Sequence, residues 1–134
     1  MKQFIVEYVT AAVLFLGADF LWLRNMGPTF YAAELGGLLR DQPDLVVAVG
    51  FYLLFVAGLV FFVIHPAMES KPLLAVAASG AFFGLIAYAT YDLTNLATIK
   101  GFTAKVAAVD MVWGAVLSGT VALATVALLR RWAW

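Results

Sequence analysis

The sequence predicts an all-α membrane protein, a four-transmembrane-helix bundle with a short interfacial helix in the first loop. The 134-residue chain is 65% apolar and 12% charged, with a mean hydropathy of +0.99. A soluble domain of this size could not bury so much apolar surface. The apolar residues also form four runs close to the roughly 20 residues that cross about 30 Å of hydrocarbon. We expect one membrane domain over residues 1–134 and no separate soluble domain.

The first span is predicted over about residues 4–23. This run contains Asp19 and lacks a small-residue cleavage site, so we interpret it as a span and not as a cleavable signal. Glu7 lies near its start, at a predicted interfacial position. Trp22 lies at the other end, where the membrane interface favours indoles.

The interfacial helix is predicted over about residues 28–40. Pro28 suits the first turn of a helix, and Tyr31, Leu35 and Leu38 come close to one face. The glycine pair at 36–37 weakens this prediction by up to about 2 kcal/mol of helix propensity.

Three more spans are predicted, over about residues 45–64, 73–95 and 104–129. His65, followed by a proline, is expected to end the second span and to have a structural role. Arg130 and Arg131 close the fourth span, and Trp132 and Trp134 are expected to anchor it at the interface.

Small residues predict close packing of the last two spans. Gly80 and Gly84 form a GxxxG pattern, and Gly114, Ser118 and Ala122 form a ridge at helical spacing. Such residues let helix backbones approach where lipid provides no hydrophobic driving force.

Four spans place both termini on one side of the membrane, but the basic residues give no orientation, because each side has four. The terminal side has Lys2, Lys71, Arg130 and Arg131, and the other side has Arg24, Arg40, Lys100 and Lys105. The arginine pair and the long first loop favour cytoplasmic termini.

Three acids are predicted to lie at one depth. Asp19, Asp92 and Asp110 each come about 5–9 Å inside a span end on the side of the first and third loops. Asp92 and Asp110 are each nine residues from Gly101, so they should be nearly level in a helical hairpin. Because an acid is costly in hydrocarbon, each is a functional candidate.

Aromatic and amide side chains accompany these acids. Asp-x-x-Trp occurs at 19–22 and again at 110–113, and Asp92 shares a helical face with Asn95. The candidate ligand- or proton-binding residues are Asp19, Trp22, Tyr52, Tyr88, Tyr91, Asp92, Asn95, Asp110 and Trp113. Tyr31 and Glu34 of the interfacial helix could cover the mouth of this site.

Each acid also has a structural interpretation. Asp19 could be an interface residue capped by Arg24 or by water, and Asp110 could interact with the dipole at the start of the fourth span. Asp92 and Asn95 could form a hydrogen-bonded clamp between helices. Three acids at one depth, with two tryptophans and several tyrosines, favour a functional pocket over a network that only fixes helix register.

The chemistry of such a pocket is partly defined. Clustered carboxylates repel, so at least one should hold a proton, which suits proton coupling or acid–base work. The aromatic rings could stack on a cation or flank an apolar ligand. Lys100 and Lys105 could supply counter-charges or extend to the interface.

Several functions are not indicated. No spacing predicts a metal site, and no motif indicates a cofactor. The absence of cysteine excludes disulfides and thiolate chemistry. With zero net charge there is no basic surface to indicate nucleic acid as a partner.

The chain resembles the small four-span bacterial membrane proteins of domain-of-unknown-function family 2177. The resemblance extends over nearly the whole chain and is carried by DFLWL (19–23), FY (30–31), FYLLFVAGL (51–59), YATYDLTNLATIKGF (88–102) and DMVWG (110–114). It implies a multi-pass protein of the bacterial inner membrane. The family pattern includes the acid and tryptophan candidates and assigns them no role.

The sequence thus leaves three functions open. The first is proton-linked small-molecule transport or ligand binding, which makes an enzyme the less favoured interpretation. The second is a lipid-directed enzyme or an accessory factor to one. The third is an accessory subunit of a larger membrane complex. Because four helices enclose little space, we also expect a homo-oligomer or a larger assembly in the lipid bilayer.

Overall fold

A computed structural model describes residues 1–132 and confirms the predicted fold, a bundle of four long helices. Each helix is long and apolar enough to cross a membrane. The helices are α1 (Lys2–Met26), α2 (Leu45–Ala67), α3 (Leu73–Thr98) and α4 (Ala104–Trp132). Trp134, a predicted interface anchor, lies outside the described residues.

The predicted interfacial helix is helical, but it continues directly from α1. A π turn (Gly27–Tyr31), one α-helical turn (Ala32–Leu35) and a 3-10 turn (Gly36–Leu38) follow α1 without a break. The N–H of Ala32 bonds to the carbonyl of Gly27, five residues back. The wider π turn lets the chain pass Pro28, which has no N–H to donate. We call residues 27–38 the arm.

Helix α2 begins at Leu45 because Asp44 caps it. The Asp44 carboxylate accepts hydrogen bonds from the N–H groups of Val46 and Val47 at 3.1 and 3.2 Å. At its other end the helix continues past residue 64, through a π turn (Val60–Ile64), to Ala67. This π turn precedes a proline, Pro66, which lies inside the last turn instead of ending the helix.

Arg130 of α4 closes the far end of α2. Its guanidinium donates to the carbonyls of Met68 at 2.9 Å, Lys71 at 2.7 Å and Ala67. These carbonyls belong to a helix end and the turn after it, where intrahelical donors are lacking. One side chain therefore joins the last helix to the α2–α3 turn.

Helices α3 and α4 form the closest pair, as the small-residue pattern predicts. A Cβ added to Gly84 would overlap the Gly114 carbonyl oxygen and the Ser118 side chain, and one added to Gly80 would come within 2.8 Å of the Ala122 Cβ. Glycine is thus required for this approach of the two backbones. The helices are joined by a tight turn in which Gly101 has a φ of +87°.

The core in the middle of the bundle is mainly apolar, and the buried acidic side chains lie toward its ends. Phe15, Leu59 and Leu117 are among the core residues that are almost fully buried. Toward the end that carries the termini, Glu7 is also completely buried, although an interfacial position was expected. It accepts one hydrogen bond from Gln3 and pairs with Nδ1 of His65 at 2.7 Å. The three aspartates lie toward the opposite end.

Candidate functional site

Asp19 is directed into the bundle by the buried stripe of α1. Glu7, Ala11, Phe15 and Asp19 follow at four-residue spacing and are the buried residues of this helix. The Asp19 carboxylate accepts a hydrogen bond from the Tyr52 hydroxyl and another from the Trp113 indole N–H at 2.9 Å. One acid thereby joins α1, α2 and α4.

Asp110 is held by the arm. The Tyr31 hydroxyl donates to Oδ1 of Asp110 at 2.7 Å, and its oxygen accepts the indole N–H of Trp22 at 3.0 Å. The arm is fixed at a second point, where the Thr103 hydroxyl donates to Glu34 at 3.0 Å. Tyr31 and Glu34 thus both attach the arm to the start of α4 or the turn before it.

The two Asp-x-x-Trp motifs exchange partners. Trp113 donates to Asp19, and Trp22 reaches Asp110 through Tyr31. Helices α1 and α4 run in opposite directions, so the tryptophan about 4.5 Å after each aspartate lies level with the aspartate of the other motif. The two indoles stack with a centroid distance of 4.2 Å and an interplanar angle of 5°.

Asp92 lies behind this network, between α3 and α4. Its side chain is 0% exposed, and neither carboxylate oxygen accepts a hydrogen bond from any residue in the range 1–132. On the antiparallel helices α3 and α4, Tyr88 packs against Gly114, so one turn further along each helix Asp92 comes opposite Asp110. Asp110 therefore both lines the cavity and faces Asp92.

A cavity of about 570 Å³ lies among the four helices and the arm. Seven of the nine predicted candidates line it: Asp19, Trp22, Tyr52, Tyr88, Tyr91, Asp110 and Trp113. Tyr31 also lines it, as expected for a residue over the mouth. The structure does not bring Asp92 or Asn95 to the cavity wall.

Six lining residues were missed by the sequence reasoning: Leu23, Leu35, Phe51, Ala87, Thr90 and Val106. Helical spacing could have found four of them. Leu23, Leu35, Ala87 and Val106 lie four residues from Asp19, Tyr31, Tyr91 and Asp110, respectively. They make the walls between the polar groups apolar, as in most small-molecule sites.

The carboxylates of the site have no cationic partner. Within residues 1–132 the one ion pair joins Glu7 and His65, and none involves Asp19, Asp92 or Asp110. Lys105, a predicted counter-charge, instead lies over the Phe30 ring at 5.8 Å from its centroid. In the same range, no group of three acid or imidazole side chains could hold a metal ion. The acids at the cavity thus bond only to neutral O–H and N–H donors.

A second, smaller groove of about 400 Å³ lies beside the cavity. It is lined by apolar residues of α4 together with the two stacked tryptophans: Trp22, Ala108, Val109, Val112, Trp113 and Val116. The indole pair therefore forms a wall between a carboxylate-lined cavity and an apolar groove.

These features define a membrane protein with several spans and a carboxylate-lined, aromatic-walled cavity toward one end of its helical bundle. The chain belongs to the family described as "Predicted membrane protein (DUF2177)", whose model matches residues 4–127. The resemblance found in the sequence is thereby confirmed. No curated protein matches the chain, and no solved structure matches it.

Proposed function

We propose that the cavity binds a small organic cation with an apolar body and that this binding is linked to proton exchange across the membrane. The observation that carries the proposal is a pair of carboxyls, Asp19 and Asp110, at one cavity with no lysine or arginine paired to either within residues 1–132. A cation would supply the missing positive charge.

The walls suit the rest of such a ligand. The stacked indoles of Trp22 and Trp113 and the rings of Tyr52 and Tyr88 line the same cavity as the acids. Aromatic faces attract ammonium groups, by up to about 2 kcal/mol where water is excluded. An anionic ligand would meet two carboxyls and is disfavoured.

The link to protons follows from electrostatics. A site with uncompensated carboxylates is costly at membrane depth when its cation leaves. A proton taken up on departure of the cation would remove that cost, so cation and proton would occupy the site in turn. Such exchange is the basis of proton-linked transport.

Binding is tested by titration calorimetry of the purified protein in detergent. The probe is benzyltrimethylammonium, a permanent cation, and the comparison is neopentylbenzene, its uncharged isostere. We expect at least tenfold tighter binding of the cation, and at least a tenfold loss in Asp19→Asn and Asp110→Asn. Asp44→Asn, which keeps a helix-capping residue and does not change the lining of the cavity, is the matched control and should bind as wild type does. Equal affinity for the two probes would disprove the proposal.

Transport is tested in proteoliposomes. A benzyltrimethylammonium gradient should drive proton movement in the wild type, and this movement should fall to the protein-free rate in Asp110→Asn. Cation-driven proton movement that is unchanged in Asp92→Asn and Asp110→Asn would rule out this mechanism.

A lipid-directed role is the second candidate, and the apolar groove favours it. The groove would accommodate an acyl chain against the same tryptophans that line the cavity. Native mass spectrometry of protein extracted from its own membranes separates the two. A retained lipid would support a lipid-linked role, and so would an altered lipid profile after gene deletion. An unchanged profile across growth conditions and a lipid-free mass would contradict it.

We place the protein in the bacterial inner membrane with its termini in the cytoplasm. The arginine pair at 130–131 supports this orientation. The cavity and arm would then face the periplasm, which is the side from which the ligand would enter.

A further inference from the structure

Asp92 differs from the other two acids of the site in having no donor. Asp19 accepts two hydrogen bonds and Asp110 accepts one. Asp92 is completely buried and accepts none from residues 1–132. Buried polar groups in folded proteins are almost always hydrogen-bonded, and an unpaired buried charge is especially costly.

The register of the α3–α4 pair brings the Asp110 carboxyl opposite Asp92. Gly84 packs against Ser118 and Tyr88 against Gly114, and one further turn along each antiparallel helix pairs Asp92 with Asp110. Two carboxylates that face each other in a buried site repel each other. A single proton on either one converts the repulsion into an O–H···O⁻ hydrogen bond, which is among the shortest and strongest types in proteins. The pair would then carry one negative charge instead of two.

Within residues 1–132, no lysine or arginine forms an ion pair with Asp92 or Asp110. Asp92 lies one residue from Tyr91 on α3 and opposite Asp110 on α4. Asp110 shares the cavity with Tyr31 of the arm, Asp19 of α1, Tyr52 of α2 and Tyr88 of α3. All of these groups are acids or phenols.

We propose that Asp92 and Asp110 share one proton and that a cation entering the cavity displaces it. The carboxyl O–H bond breaks, the proton passes to solvent through the cavity, and the charge of the cation replaces it. Asp19 is not part of this pair, because two neutral donors already bond to its carboxyl oxygens. The displacement step rests on the proposed cation binding, whereas the shared proton does not.

The shared proton is tested without any ligand, by infrared spectroscopy of protein with isotope-labelled aspartate near neutral pH. The stretching band of a protonated carboxyl should be present in the wild type. It should be lost in Asp92→Asn, where the amide can donate to Asp110, and lost in Asp110→Asn. It should persist in Asp19→Asn. The proposal would be overturned by any of three results. These are the absence of the band in the wild type, its persistence in Asp92→Asn or Asp110→Asn, and its loss in Asp19→Asn. Circular dichroism checks that the variants fold. If only one of Asp92→Asn and Asp110→Asn folds, that variant is sufficient for the test.

The displacement is tested by calorimetry with benzyltrimethylammonium in two buffers of different ionisation enthalpy. The probe cannot carry a proton, so any proton released comes from the protein. We expect one proton per bound cation in the wild type and none in Asp92→Asn, and a wild-type affinity that rises up to about tenfold per pH unit. Equal release from Asp92→Asn would overturn the inference while leaving the proposed function standing. Binding of the cation without any proton release would overturn the displacement step and the proton link of the proposed function, and would leave only cation binding. No preference for the cation would overturn the proposed function, and the infrared result would then decide the shared proton alone.

Discussion

Trp113 supports the site in two separable ways. Its indole N–H donates to the Asp19 carboxylate at 2.9 Å, and its ring stacks on Trp22 at 4.2 Å. A phenylalanine at this position would keep most of the ring contact and remove the donor. The residue therefore allows the hydrogen bond to be tested apart from the stacking.

We expect Trp113→Phe to lower the free energy of unfolding by about 0.5–2 kcal/mol, because a buried carboxylate loses one of its two donors. Trp22→Phe should cost less, because its acceptor is the neutral hydroxyl of Tyr31. Thermal unfolding in detergent followed by circular dichroism measures both. Equal midpoints for the two variants would contradict this assignment of the stabilising contacts.

The positions of the acids along their helices were predictable by counting residues, but their partners were not. Depth follows from distance to a helix end, so Asp19, Asp92 and Asp110 could be placed together from the sequence. The rotation of each helix about its own axis cannot be obtained by counting residues to the helix end. For this reason the sequence did not show that Asp92 faces Asp110 and not the cavity, nor that Glu7 is buried against His65.

At the scale of the helices, the close packing of α3 against α4 depends on the absence of a single side-chain carbon at each glycine of the contact. Helix α3 meets α4 through glycines whose missing side chains make room for backbone and hydroxyl oxygens. Gly50 in α2 offers a matched comparison, because a Cβ there would meet no heavy atom within 4 Å.

We expect Gly84→Ala to destabilise the protein by about 1–3 kcal/mol, since α3 must move away from α4. Gly50→Ala should instead be neutral or stabilising by up to about 1 kcal/mol, because alanine favours helix. Thermal unfolding of both variants measures the difference. A Gly84→Ala protein as stable as the wild type would show that the helices can separate at no cost.

The two arginines at the end of α4 differ in what they contact. Arg130 donates to three carbonyls at the end of α2 and in the following turn, whereas Arg131 is exposed. We expect Arg130→Ala to lower the unfolding midpoint by several degrees, because three backbone carbonyls lose their charged hydrogen-bond donor. Arg131→Ala should lie within about 0.5 kcal/mol of wild type. Equal losses in the two variants would assign the effect to net charge instead.

Helix starts were easier to predict than helix ends. Asp44 caps α2 and Thr103 caps α4, accepting the N–H of Val106 at 3.1 Å, and both residues have strong capping preferences. The prolines at 28 and 66 indicated boundaries that the structure does not have. A π turn before or around each proline removes the conflict, and such turns leave no clear sequence pattern.

At the scale of the whole molecule, the orientation of the bundle in the membrane can be measured by labelling one exposed position at each of its two ends. The first loop lies at the cavity end, and the α2–α3 turn lies at the end that carries the termini. Gln42 and Ser70 are exposed in these two segments. The chain has no native cysteine, so a single introduced thiol would react alone.

We expect Gln42→Cys to react with a membrane-impermeant maleimide in intact bacterial cells, and Ser70→Cys to react only after the cells are permeabilised. This result follows from cytoplasmic termini and an even number of spans. The opposite labelling pattern would invert the proposed orientation and place the cavity on the cytoplasmic side.

The π turn in α2 amounts to one residue inserted into a regular helix. Deleting one residue within 60–64 would restore α-helical hydrogen bonding and turn His65 by about 100° around the helix axis. Glu7 would then keep only Gln3 as a partner inside the bundle. The extra residue therefore determines the direction in which the side chains at the end of α2 point. A chain shortened there would have a more regular helix and a lower stability.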